Sequence, residues 1–377
     1  MCYDDYPEHD KSGERILDRV ATFLLIIISL VLPPLLAVWL SGADPSRYLD
    51  FPFFTAPASH EAFSWGVWWA MVIFVLGVLG PSLIYTWRFH ITHEISQKSG
   101  NFPLWGKLAV LLLILIWVLA WNRFEWFSSL QLYTFTPLWL CYIVIVNAIT
   151  FKRIGRCLLV NDPKYLLGLF ILSSLFWWYY EYLNGYIRNW YYVGLTELSS
   201  TEYAIHSTLA YATVLPAVMS TLALLNTFPK LSRPYENFIS VNITSPKSRV
   251  FAYYLCGCVI LGFAATHPEQ LFMFVWIAPL FIIVGVRYLL GQATVFSSLA
   301  NGDWRPLILP AIAALICGFF WELWNAHSLA HWEYNIPYVE KFYLFEMPVI
   351  GYAGYLPFGL VCLAVAELVR GTETLFK

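Results

Sequence analysis

The chain has 377 residues and a formal charge of −2, with 59% hydrophobic and only 12% charged residues. Soluble domains carry roughly 25% charged residues, so this chain has too much apolar surface for a water-soluble core and belongs in a bilayer. The balanced charge excludes a nucleic-acid binder, and the composition excludes disordered, collagen-like and disulfide-rich secreted classes.

In chain order, a polar tail over 1–18 precedes ten apolar stretches of about the length a bilayer requires. They fall at 19–41, 65–87, 107–121, 131–150, 165–184, 203–227, 250–267, 270–291, 307–326 and 346–369. The third is short and is expected to extend into its flanks. The fold class is therefore all-α: a polytopic membrane protein of about ten transmembrane helices in one integral domain over 1–377. No cleavable leader is expected, because the first apolar stretch is too long and lacks an Ala-x-Ala site.

Charge sets the expected orientation. With the N-terminus inside, 18 of the 22 Lys and Arg lie on the cytoplasmic side. Only Arg47, Arg123, Arg188 and Lys341 lie outside. Cytoplasmic basic excess is the rule, so both termini are expected in the cytoplasm, in a bacterial inner (plasma) membrane. Acids divide evenly, which leaves the outer face negative. The inner-face His90 and His93 are expected to be solvated. No cysteine falls in an outer loop, so no disulfide is expected.

Three stretches at the outer ends of helix pairs share a frame. The last reads Phe320-Trp321-Glu322-Leu323-Trp324-Asn325, then Trp332-Glu333-Tyr334, then Phe345-Glu346-Met347-Pro348. The middle one reads Tyr180-Glu181-Tyr182-Leu183-Asn184, then Trp190-Tyr191-Tyr192, then Thr201-Glu202-Tyr203. An earlier one reads Trp121-Asn122, then Trp126-Phe127, then Phe135-Thr136-Pro137. In each, a helix ends in Asn, a short loop carries Trp, and the next helix begins near Glu or Pro. The reading is of repeated helical hairpins near 107–150, 165–227, 250–291 and 307–369. The fifth and ninth helices run the same way, so the repeats are parallel, about an axis along the membrane normal.

The candidate site follows from this frame. Glu181 and Glu322 sit one turn before the outer ends of apolar helices, where a carboxylate costs a few kcal/mol unless it faces the bundle or water. Asn184 and Asn325 lie three residues on, on the same helical face, and Trp177 and Gly318 lie four residues back. Glu202 and Glu346 are expected to open the following helices, where an acid also suits the helix dipole. Glu322, Glu181, Glu346 and Glu202 are the candidate catalytic acids. Asn325, Asn184, Trp321, Trp324, Trp332, Trp190, Trp177 and Tyr334 are the candidate ligand-binding residues. About thirteen of the 18 Trp fall toward the outer end, which points to an aromatic-lined outer cavity. His327 and His331, four residues apart in the last outer loop, are the weak metal candidates; they lack the helix-borne Glu of a metalloprotease motif.

No phosphate loop, dinucleotide fingerprint or nucleophile elbow is present, and the sequence names no cofactor. Three function classes remain. The first is a membrane enzyme acting on a lipid or isoprenoid, with membrane lipids and an apolar ligand as partners. The second is a transporter or channel for a small solute. The third is a non-catalytic subunit that docks a membrane-protein partner.

Overall fold

The computed structural model describes residues 11–89, 100–243 and 245–370. His90, His93 and most of the N-terminal tail lie outside the described residues. The chain is mainly helical. Its long helices are α1 (Lys11–Leu40), α2 (Trp65–Arg88), α3 (Leu104–Trp121), α4 (Phe135–Ile154) and α5 (Pro163–Ile187), followed by α6 (Ser200–Tyr211) and α7 (Val214–Leu225). Then come α8 (Lys247–Thr266), α9 (Ala278–Leu289), α10 (Arg305–Asn325) and α11 (Tyr355–Arg370). Among the described residues, nine helical segments are long and apolar enough to cross a membrane, or ten if one bent pair counts as a span. The third span does extend, to Leu104, as its shortness required.

Two spans depart from straight helices. The sixth, Ser200–Leu225, breaks between α6 and α7. Pro216 has no N–H for the carbonyl one turn back, and its ring crowds that turn. Ser173 of α5 satisfies the freed groups: its hydroxyl donates to the Tyr211 carbonyl at 2.6 Å and accepts from the Leu215 N–H at 3.0 Å. The eighth span was expected as one helix over 270–291. It is instead Pro268–Trp276 followed by Ala278–Leu289, bent by 51°. Pro279 stands in the first turn of α9, where it starts a helix but cannot continue one from before.

Helices α5, α7, α10 and α11 form the centre. α10 packs on α11 and α7, and α5 packs on α7 and α11. Around them, α3 lies on α4, which leans on α7; α8 lies on α9, which leans on α11. Contact is close at Gly359 of α11, where a Cβ would stand 2.1 Å from the Pro310 carbonyl oxygen of α10. The largest fully buried side chains include Trp139, Trp324, Tyr180 and Phe358. By contrast, α2 buries no residue. It is held at its ends. Its cap Ser64 donates a backbone bond to Tyr338, and Ser82 and Thr86 bond the Tyr235 hydroxyl.

The loops at one end of the bundle are not structureless. β1 (Trp190–Val193) pairs antiparallel with β2 (His331–Tyr334), in the register Trp190 opposite Tyr334, Tyr191 opposite Glu333 and Tyr192 opposite Trp332. A second small ribbon joins β3 (Tyr343–Leu344) to β4 (Met347–Pro348). The two Trp-bearing loops are thus one ribbon, 142 residues apart in sequence, which local pattern cannot reveal. We call this the ribbon end.

Candidate functional site

Glu181 and Glu322 end up 1% and 0% exposed, inside helices that also face hydrocarbon. Each is reached by neutral donors. The Glu181 Oε1 accepts from the Trp177 indole at 2.9 Å, the Trp190 indole at 3.2 Å and the Tyr192 hydroxyl at 2.6 Å. Tyr211 stands behind, donating to the Tyr192 hydroxyl at 3.1 Å. The Glu322 Oε1 accepts from Tyr334 and Tyr355, both at 2.7 Å. Trp332 stands behind, its indole 2.9 Å from the Tyr334 hydroxyl. The Glu322 Oε2 is buried and has no hydrogen-bond partner, alone in this among carboxylate oxygens of the described residues.

The ribbon brings these donors in. Strand side chains alternate, so Trp190 and Tyr192 share one face, as do Trp332 and Tyr334. The asparagines fix the strands to the helix ends. Asn184 donates to the Trp190 carbonyl at 2.8 Å and accepts from the Trp190 N–H at 3.3 Å. Asn325 donates to the Trp332 carbonyl and accepts from the Trp332 N–H, both at 2.7 Å. Each amide thus holds both backbone groups of a ribbon Trp, and Asn184 also accepts from the Asn189 N–H at 2.9 Å and donates to the Thr55 hydroxyl at 3.1 Å. Burial pushes the Tyr192 and Tyr334 phenols up, and the facing carboxylates of Glu181 and Glu322 add to it. Both stay hydroxyl donors over the physiological range.

The rings of Trp177 and Tyr355, which bond the carboxyls, pack in a larger aromatic cluster. The Trp321 ring lies 5.8 Å from Tyr355, 6.2 Å from Phe358 and 6.4 Å from Trp177. Trp324 packs elsewhere: its ring meets Trp139 at 5.1 Å and Trp117 at 6.1 Å, both edge to face, and no hydrogen bond joins it to a carboxylate.

Other candidates fall outside this cluster. Glu202 is exposed and closes a capping box with Ser199 at the start of α6. Glu346 does not open a helix. It lies half-buried in the turn between β3 and β4, and α11 begins only at Tyr355. Among the described residues, His327 and His331 belong to no cluster of three or more possible metal ligands. The His327 ring sits edge-on to Trp121, 4.9 Å away, and the His331 Nδ1 is 3.2 Å from the Leu329 carbonyl oxygen.

Sequence reasoning missed Tyr192, Tyr211 and Tyr355. Tyr192 was detectable, since it follows Trp190 by two residues as Tyr334 follows Trp332. Tyr355 had no such signal, because it comes from a separate helix. No protein-family model, curated protein or solved structure matches the chain.

Proposed function

We propose that this is an integral membrane enzyme acting on an apolar lipid, of the isoprenoid type, by proton transfer at its buried glutamates. The observation that carries the reading is the full burial of Glu322 and Glu181 among neutral indole and phenol donors, with no cation among their hydrogen-bond partners. Intramembrane acids are expensive and are kept where they act on a ligand or a proton. A carboxyl screened from water is a competent general acid. Proton transfer from a carboxyl to a carbon–carbon double bond leaves a carboxylate and a carbocation. The aromatic faces of Trp321, Tyr355 and Phe358 suit such a cation. Loss of a neighbouring C–H proton back to the carboxylate restores the acid, so the chain is isomerised or cyclised with no net proton consumed.

The proposal includes the internal repeat and the orientation. The repeat is supported by the matching Asn184 and Asn325 bonds, and by matching packing. α5 on α7 corresponds to α10 on α11, and α4 on α7 to α9 on α11. The basic excess of 18 in 22 supports a ribbon end outside the cell, in a bacterial inner membrane. A second reading, a subunit docking a membrane partner, is favoured by α2, which buries none of its residues.

The test is mass spectrometry of lipids from membranes that hold wild-type protein or Glu322→Gln at equal level. An isoprenoid product present only with the wild type is expected. Identical lipid profiles overturn the enzyme reading.

A further inference from the structure

We propose that the two carboxyls divide their work: Glu322 carries the reactive proton on its Oε2, held in place by Tyr355, whereas Glu181 is a structural acceptor. This rests on the enzymatic reading above and deepens it.

The two sites share a frame but differ in how completely they are bonded. Glu181 gathers three donors on one oxygen, and one of them, Trp177, comes from its own helix one turn back. Such a donor moves with Glu181, one turn away on the same helix. At the matching place on α10 stands Gly318, also four residues before its Glu. A Cβ there would lie 2.3 to 2.8 Å from ring atoms of Tyr355. The missing side chain is what lets the Tyr355 ring occupy the space and bring its hydroxyl 2.7 Å from the Glu322 Oε1. That donor belongs to α11, a different helix.

The consequence is chemical. Two phenols on Oε1 mark it as the carbonyl oxygen of a carboxylic acid. The proton then rides on Oε2, the buried oxygen with no partner among the described residues. A buried polar atom left unpaired is costly, so its retention points to an acceptor supplied from outside the chain. The acceptor that the neighbouring Trp321, Tyr355 and Phe358 rings suit is the π-bond of an unsaturated hydrocarbon. Tyr355 does not donate the proton; it is a positioning residue that fixes which oxygen carries it.

Infrared difference spectroscopy with hydrogen–deuterium exchange tests this on the full chain in phospholipid nanodiscs. The carbonyl stretch of a protonated carboxyl is expected in the wild type and in Glu181→Gln, and is expected to vanish in Glu322→Gln. Tyr355→Phe is expected to move that band to higher frequency, because one hydrogen bond to the carbonyl is lost. Phe at this position keeps the ring packing, so a purely structural role would leave the band unmoved. Product formation in Glu322→Gln should fall about 100-fold or more. A band lost in Glu181→Gln and retained in Glu322→Gln overturns the division. So does an unmoved band in Tyr355→Phe, which serves even if Glu322→Gln fails to fold. A band that behaves as expected with no lipid product in any variant leaves the division standing and overturns the enzymatic reading alone.

Discussion

Tyr191 and Glu333 face each other at the middle of the β1–β2 ribbon, and the Tyr191 hydroxyl donates to the Glu333 carboxylate. The pairs on either side, Trp190 with Tyr334 and Tyr192 with Trp332, exchange roles across this point. The ribbon donors around both buried glutamates are therefore placed symmetrically about one phenol–carboxylate bond.

That bond has a pH signature. It is the first cause, ahead of burial, that pushes the Tyr191 phenol up to about 12. The phenol of an unfolded chain loses its proton near pH ~10. Between these values the unfolded chain holds fewer protons, so stability falls as pH rises and the contribution is gone above the folded value. Thermal unfolding in detergent is expected to drop more steeply from pH 10 to 12 in the wild type than in Tyr191→Phe. Parallel curves would contradict this.

Asn184→Ala and Asn325→Ala should cost similar stability, about 1–3 kcal/mol for each buried backbone group left unpaired. Each amide holds the same two backbone atoms of a ribbon Trp. Denaturant midpoints of the two variants should shift together. A shift in one alone would show that the two helix ends are not equivalent.

Gly359→Ala is expected to lower stability by about 1–3 kcal/mol through overpacking. Its new methyl would stand 2.1 Å from backbone oxygen, which cannot rotate away as a side chain can. Helices α10 and α11 would separate, and Tyr355 would move with α11. Gly77→Ala, where nothing lies within 4 Å, should not destabilise, and thermal scans of the pair make the comparison.

His60 clasps the segment between α1 and α2 onto the ribbon end. Its Nδ1 lies 2.6 Å from Glu269 and its Nε2 lies 3.2 Å from the Arg188 carbonyl oxygen. His60→Ala should raise protease cleavage within 41–64 severalfold and leave the helices intact. Unchanged digestion would show that the Asn335 bond to Ala58 and the Glu61–Tyr338 backbone bond hold the segment unaided.

Much of this was legible in the residues, and the rest was not, for identifiable reasons. Glu181 and Glu322 stood out because an acid in an apolar helix is costly. Asn184 and Asn325 stood out because they share a face with those acids. Glu202 was legible as a cap from Ser199 three residues before it. The 51° bend before α9 was missed because apolar residues run through it, although Pro279 marks the spot. The β1–β2 pairing was invisible because the partners are distant in sequence and each strand is only four residues long. Tyr355 was missed because its contact with Glu322 spans 33 residues and two elements. The aromatic excess was legible as a cluster toward one end, but which rings meet, Trp321 with Tyr355, Phe358 and Trp177, was not.

The contrast between α2 and the glutamate-bearing helices bears on the order of assembly. α2 carries no acid and buries no residue, so it needs little from its neighbours to be stable in lipid once it is inserted. α5 and α10 are different. An acid in an isolated span costs up to about 2.5–3.5 kcal/mol at insertion, less toward the span's end where Glu181 and Glu322 stand, and most of the groups that relieve it arrive later in synthesis. For Glu181 they are Trp190 and Tyr192, already beyond the end of α5; for Glu322 they include Tyr355, on the next helix. The ribbon that relieves both cannot close until β2 has emerged. The first half of the chain must therefore wait in the bilayer, incompletely bonded, for the second, and a truncation before residue 331 should leave a span that is recognised and degraded.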